Sequence, residues 1–329
     1  MGGFDLNIET KKDVLALLDM PREEYLRDIA PLAKKIYKNY RNEIIANAML
    51  GYSNVCRSRC LYCGMRAGTK IERYRLNLEE IKNSVDLADS QGMKRIFFIS
   101  GEDPGCSFDD ILEYLSYAKK LGMRVCLGIG ELERSQFNEL KAAGLDEYAM
   151  KFEMSDRDTF NRLNPSTNFD RRMERISFIL EEGISLASGN IVDYPGQTRD
   201  SLANDIMLMK ELSISWAPVI SYLPAKDTPL AKEGGPGNLE LLHKEISILR
   251  IMMPTVNITA QQPGRDLKKG LSDTEGNLDA VNSGANMLFV DLLPDAMAKN
   301  FSVVDNRSSL RLSHIKEIAG LAGMKVSYI

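Results

Sequence analysis

From residue 43 onward the chain repeats one unit: a short apolar run, a loop, then an amphipathic helix. The runs expected as strands are 44–52, 95–100, 124–129, 147–153, 184–192, 217–223, 256–260 and 286–290. Helical spacing fits 78–91, 108–121, 134–143, 156–163 with 170–182, 199–212, 238–252 and 274–283, and a last helix over 309–322. Strands alternating with helices of this length predict parallel βαβ units. Eight of them in 329 residues predict an α/β fold of the TIM type, a closed (β/α)8 barrel. Runs such as Arg95-Ile-Phe-Phe-Ile and Asn286-Met-Leu-Phe-Val are nearly all apolar, as burial on both faces requires. Two helices are expected earlier, over 9–20 and 22–40, the second opened by Pro21 and two acids. The expected organisation is a helical extension over 1–42 packed on a barrel over 43–329.

Composition narrows the function classes. A net charge of −4 leaves no electrostatic footprint for nucleic acid. No apolar run reaches the ~18 residues of a membrane span, and Met1–Asn7 lacks the basic-then-apolar pattern of a secretory signal. The expectation is a cytoplasmic protein with reduced thiols and no membrane partner. The two histidines, His243 and His314, fall on expected helices away from the strand ends, which argues against acid–base catalysis by histidine.

In a barrel of this kind the active site lies at the C-terminal ends of the strands. The first of those ends runs into Cys56-Arg-Ser-Arg-Cys60-Leu-Tyr-Cys63, three thiols within eight residues. Such a loop suits one object that takes three thiolates. Iron–sulfur clusters are held by Cys thiolates, usually four, so one iron would be left open to another ligand. Zinc is the competitor, but a closed structural zinc site wants four ligands, and no His or fourth Cys lies nearby. The odd local count argues against a disulfide. Cys106 and Cys126 are too few for a second ordinary cluster and read as buried small hydrophobes.

The other strand ends carry candidate contacts. Gly101-Glu102 follows the second strand and offers close backbone approach with a carboxylate for an ammonium group. Lys151, Glu153 and Ser155 alternate at the end of the fourth and share one face. Arg172 opens a helix and suits a bidentate carboxylate contact. Asp193 ends the fifth strand; Gln261, Arg265 and Asp291 are expected to line the side of the mouth opposite the cysteines, where a substrate would lie.

The C-x3-C-x2-C run with Tyr62 before its last Cys resembles the signature of the radical S-adenosylmethionine (SAM) enzymes. The resemblance extends over residues 50–293 to the branch holding biotin synthase, the [FeFe]-hydrogenase maturase HydE and methylornithine synthase (PylB). It is carried by GYSNVCRSRCLYCGMRAG, SGEDP, LGIGEL, NIVDYPGQT and the Arg250-Ile-Met-Met-Pro run, and SGEDP, GEL and PGQT are most similar to HydE. It implies an anaerobic enzyme of cofactor biosynthesis with a [4Fe-4S] cluster on Cys56, Cys60 and Cys63, whose fourth iron is chelated by SAM. It implies Tyr62 beside the adenine, bordered by Tyr222 and Leu223; Gly101 and Glu102 at the methionine amino group; Glu153 at the ribose or amino-acid part; and Arg172 at the carboxylate. It implies a 5'-deoxyadenosyl radical that attacks a small carboxylated or zwitterionic substrate, and a flavodoxin- or ferredoxin-type electron donor. Lys151, Asp193, Gln261, Arg265 and Asp291 are the expected substrate contacts. An amino-acid rearrangement like that of methylornithine synthase is the alternative, and a non-catalytic iron–sulfur or zinc protein that binds a partner is the reading outside catalysis. The second cluster of biotin synthase needs three cysteines and an arginine; here only Cys126 matches, with Phe98 and Ala187 at the other positions. Methylornithine synthase has an arginine where this chain has Pro218, and the maturase has one where this chain has Lys151.

Overall fold

The computed structural model describes residues 6–307 and 309–329; residues 1–5 of the expected extension, and Ser308, lie outside the described residues. Eight parallel strands form the barrel: β1 Glu43–Ser53, β2 Arg95–Ser100, β3 Arg124–Gly128, β4 Glu147–Ala149, β5 Ser185–Ala187, β6 Trp216–Ala217, β7 Asn257–Ile258 and β8 Met287–Asp291. Neighbours in sequence are neighbours in the sheet. The ring closes where Thr259, just past β7, bridges Met287 of β8, and β8 pairs with β1 at Ile45↔Met287. Two shorter strands, Ile191–Val192 and Ile220–Ser221, pair with each other above β5 and β6. The expected strands 184–192 and 217–223 are therefore each broken in two. A strand over Lys325–Ser327, not expected from the sequence, pairs with the start of β1 below β2.

Period two decides which side chains fill the barrel. Ile45, Met49, Phe97, Cys126, Ala187, Trp216, Met287 and Phe289 form one buried cluster inside the ring. Phe97 meets Trp216 edge-on with ring centroids 5.2 Å apart, and Trp216 lies 5.4 Å from Phe289. The Trp216 indole N–H donates to Thr259 Oγ1 at 2.9 Å, so its polar end is satisfied. Phe98 packs outward, its ring 4.6 Å from Tyr114 on the helix Phe108–Lys120. The inward position on β2 is thus Phe97, one residue from the one assigned by motif matching.

Buried polar ties fix the earlier helices. Helix Lys11–Leu18 starts at a capping box on Thr10. The segment Arg22–Tyr40 is helical throughout, with a π turn over Tyr25–Ile29. Both pack on the helix Leu239–Met252, where Lys244 donates to the Leu18 and Met20 carbonyls. Arg250, fully buried, donates to Gly284 O, Pro254 O and Asn286 Oδ1, each at 2.8 Å, and stacks on Tyr37. Among the described residues no helix is long and apolar enough to cross a membrane.

Candidate active site

The cysteine loop leaves β1 and folds back over the barrel mouth. Asn54 anchors it, donating to Glu72 O and Asn300 O and accepting from Tyr74 N. Arg73 reaches in to donate to the carbonyls of Met65 and Arg66. Gly101 lets the loop approach β2: a Cβ there would lie 2.3 Å from Val55 O and 2.7 Å from Cys56 Cβ. That close packing on the cysteine loop is a reason for glycine independent of any ligand. The Glu102 carboxylate accepts from Ser58 Oγ at 3.0 Å and meets Arg57 at 3.4 Å, so it clamps the same loop.

Cys56, Cys60 and Cys63 are free thiols. Burial pushes the Cys60 thiol up, and burial pushes Cys63 up to about 12, with the neighbouring cysteines adding to both shifts. Among the described residues no three His, Cys, Asp or Glu side chains are gathered for a single metal ion. Around one zinc the sulfurs would stand only ~3.8 Å apart, from Zn–S bonds of about 2.3 Å. The donor set therefore fits a group that places each thiolate on its own iron and whose positive charge offsets the burial of three thiolates.

Below the loop lies a cavity of about 340 Å3. Its floor is apolar: Met49, Phe97, Ile99, Trp216 and Phe289. One wall carries Glu131, Lys151, Glu153 and Arg172. Glu131 accepts from Arg171 Nε at 2.9 Å, Arg172 Nε at 3.0 Å and Thr167 Oγ1. Burial works against its ionisation, but Arg172, Thr167 and Arg171 outweigh it and hold the carboxyl below the ordinary range. Arg172 also donates to Lys151 O and lies over the Phe160 ring. Lys151 Nζ stands 3.0 Å from Glu153 Oε2 without hydrogen-bond geometry, and that oxygen is buried with no donor. The ion pair supplies charge but no oriented hydrogen bond, so a ligand hydroxyl or ammonium group can complete that oxygen. Glu153, four residues past β4, has φ +62°, a left-handed turn, and its backbone bridges Asn190. A cavity with such an acceptor suits a ligand rich in hydroxyl and ammonium groups, as SAM is.

Beside the loop, Tyr62 and Leu61 pack against a cluster of Met154, Phe160, Ile191, Tyr194 and Tyr222. Tyr62 donates to Asn164 Oδ1 at 2.7 Å. Leu223 is buried next to Tyr222.

On the opposite wall stands Gln261, its Oε1 accepting from Phe289 N. Three of the expected substrate contacts, Asp193, Arg265 and Asp291, do not line the cavity. Asp193 adopts φ +57°, and its Oδ2 accepts from Asn238 N, capping the approach to the helix Leu239–Met252. The left-handed turn swings it off the barrel axis. Arg265 follows Pro263-Gly264 out of the mouth; its side chain is 76% exposed and its nearest acid is Glu275 at 3.6 Å. Asp291 is buried but does not line the cavity; it pairs with Arg307 at 2.7 Å, and Arg307 does line it. Arg307 escaped the sequence reading because it lies in an aperiodic stretch after β8. The acid at the end of β8 was the one signal that a cation had to come from somewhere. Cys126 is buried inside the barrel, whereas Cys106 is half-buried, its thiol donating to Asp103.

Residues 50–209 match the model of the radical SAM superfamily. The chain is 33% identical over 287 residues to the [FeFe] hydrogenase maturase subunit HydE of Thermotoga maritima, covering 87% of this chain and 80% of that protein. It is 27% identical over 320 residues to the 3-methylornithine synthase of Methanosarcina acetivorans, covering 96% and 88%. A biotin synthase of Acinetobacter baumannii is 27% identical over 290 residues, covering 85% and 84%. The crystal structure of methylornithine synthase (PylB) superimposes with a TM-score of 0.85 at 23% identity, over 97% of this chain and 94% of that one, a likeness of fold. The chain belongs to the radical SAM superfamily, in the branch of these three enzymes, and is an enzyme that uses a [4Fe-4S] cluster and SAM.

Proposed function

We propose that this radical SAM enzyme holds SAM against the Glu131–Arg172 wall and a small carboxylated or zwitterionic substrate across the cavity from it, in a reaction of the HydE type. The observation that carries this reading is the cavity itself. Its floor is apolar, its wall includes Glu153 and Arg172, whose charges act on the Cys60 thiol of the cluster loop, and its charged groups sit on two facing walls. Bound together, the cluster and SAM supply a 5'-deoxyadenosyl radical able to take a hydrogen atom from a substrate.

The chain's part is to bind, orient and exclude water. Cys56, Cys60 and Cys63 are the cluster ligands. Glu153, whose buried Oε2 is paired with Lys151 but receives no oriented hydrogen bond, takes the hydroxyl or ammonium groups of SAM, and Tyr62, Tyr222 and Leu223 border the adenine. Arg172 and Gly101 hold the wall and the loop in place, and Glu102, which clamps the loop through Ser58 and Arg57, is the group for the methionine amino end. Lys151 and Gln261 meet the substrate. The Phe97–Trp216–Phe289 floor keeps water from the reacting centre. Sulfur insertion by a second cluster is disfavoured, since the inward ring offers one thiol, Cys126, beside Phe97 and Ala187. A carbon-skeleton rearrangement is the second reading, favoured by the relative that spans 96% of this chain. The donor is of flavodoxin or ferredoxin type and approaches from the side where Arg57 and Arg59 are exposed. The setting is cytoplasmic, and residues 1–42 serve as an extension of the barrel.

The test is an anaerobic assay for 5'-deoxyadenosine with reconstituted protein, reductant and candidate thiols, thiazolidines and diamino acids. Substrate-stimulated formation with deuterium moved into 5'-deoxyadenosine is the expected result. An EPR spectrum of the reduced cluster unchanged by SAM, with no 5'-deoxyadenosine, sinks the reading.

A further inference from the structure

Three cations line the central cavity, and they differ in what they are tied to. Arg172 spends its N–H groups on Glu131 and the Lys151 carbonyl. Lys151 faces Glu153. Arg307 donates to Asp291 alone among the described residues, and its Nε is buried with no acceptor. A guanidinium has five N–H donors in a planar fork matched to carboxylate. Its side chain is 13% exposed, and it borders both the central cavity and an annex of about 60 Å3. A water needs about 10–15 Å3 of such space, so the annex accepts a three-atom carboxylate. Gln261 lines the same annex. The Phe289 N–H engages its Oε1, which leaves its NH2 as a second donor there.

The position of Arg307 is fixed from three sides. Asp291 pairs with it from the end of β8, and Phe301 stacks under its plane at 4.9 Å. The segment carrying it is pinned to the cysteine loop, with Gly64 N donating to Val303 O at 3.0 Å and Asn54 Nδ2 to Asn300 O at 2.7 Å. A Cβ on Gly64 would lie 2.3 Å from Ser302 O, so that contact demands glycine.

We infer that Arg307, with the Gln261 amide, anchors the carboxylate of the substrate in this annex, and that Asp291 is the positioning residue behind it. The inference rests on the function proposed above and names the group by which the substrate is read. A bidentate guanidinium–carboxylate contact gives geometry as well as charge, so the anchor sets which end of the substrate faces the radical.

The test uses the anaerobically reconstituted enzyme with SAM bound. The probes are alanine, norvaline and norleucine, each against its carboxamide. Occupancy is read from the fluorescence of Trp216, the single tryptophan, which lies on the cavity floor, and checked by equilibrium dialysis. The acids are expected to bind about 10–100-fold tighter than the amides, and Arg307→Met to bring the ratio within about threefold of one. Arg307→Lys should restore part of it. Iron content and SAM affinity should stay as in the parent. Gln261→Leu, which leaves the ion pair intact, should lower the ratio by about 5–10-fold and serves if Arg307→Met fails to fold. No acid preference anywhere in the series, non-binding of all probes included, overturns the inference, as does a preference that survives both substitutions. Failure of the proposed function is seen separately, as no 5'-deoxyadenosine from the parent enzyme.

Discussion

The two halves of the barrel mouth are built on opposite terms. On the β1–β4 side the charged groups are held by the protein, Glu153 excepted, whose buried Oε2 is paired with Lys151 but receives no oriented hydrogen bond among the described residues. Glu131 has three donors, and Glu102 has two. Asp103 accepts from Arg75 at 2.7 and 2.6 Å and from Ser53 at 2.6 Å. Burial opposes the Asp103 charge, yet these bonds hold its carboxyl down to about 2. On the β5–β8 side the Arg307 Nε, among the described residues, is buried without an acceptor at the cavity, and the Gln261 amide nitrogen faces the same annex. A saturated wall is rigid before any ligand arrives, which suits a cofactor that must be placed the same way each time. A wall with spare donors has its hydrogen bonds completed by what binds there.

The largest effect that bears on this contrast is at the cluster loop. Cys60→Ala should remove the cluster and lower 5'-deoxyadenosine formation by at least ~1000-fold, since two thiolates do not hold a four-iron cluster. A variant that keeps about four irons per chain would break the ligand assignment. Next comes packing on the saturated side. Gly101→Ala drives a methyl into Val55 O and should cost about 100-fold in activity through displacement of the loop. Gly235→Ala, with nothing within 4 Å of its added methyl, should change nothing. Equal losses at both glycines would erase the distinction.

A smaller effect concerns the joint between the halves. Asp205, fully buried, accepts from Ser155 N and Oγ, Gln197 and Asn190, and so welds the end of β4 to the end of β5. Burial pushes its carboxyl up to about 6 from 3.8, more than these donors lower it. With the folded value above the unfolded one, the folded state holds the proton more tightly between them. The stability from this group is complete below about 4 and declines as pH rises through about 6. In anaerobic urea unfolding, the stability of the parent relative to Asp205→Asn should therefore drop by about 1 kcal/mol between pH 5 and 7. A rise over that window would contradict the sign. The smallest expected effect is Arg265→Ala, which should leave turnover within about twofold, because an exposed ion pair contributes ~0–1 kcal/mol. A large loss there would return Arg265 to the site.

Much of the architecture is legible in the chain. β2 runs over 95–100 as expected, and the helix starts at Asn77, Ser107 and Thr198 are marked by their own capping side chains. The breaks in the fifth and sixth strands, at 188–190 and 218–219, were not legible, because the outer fragments leave the barrel sheet to pair with each other, Ile191 with Ile220 and Val192 with Ser221. Side-chain direction on β2 was not legible either. Phe98 and Phe97 have the same chemistry, and only the sheet register tells inward from outward.

The sequence alone determined the three-thiol loop and the eightfold strand–helix alternation, because both are written in local spacing: cysteines within one loop, apolar residues at periods of two and 3.6. Tertiary structure decided which strand-end residues face the cavity. It sent Arg265 and Asp193 outward and brought Arg307 in from an aperiodic segment onto Asp291. That choice follows from closure of the barrel and from which buried charge needs a partner, and neither is a property of neighbouring residues.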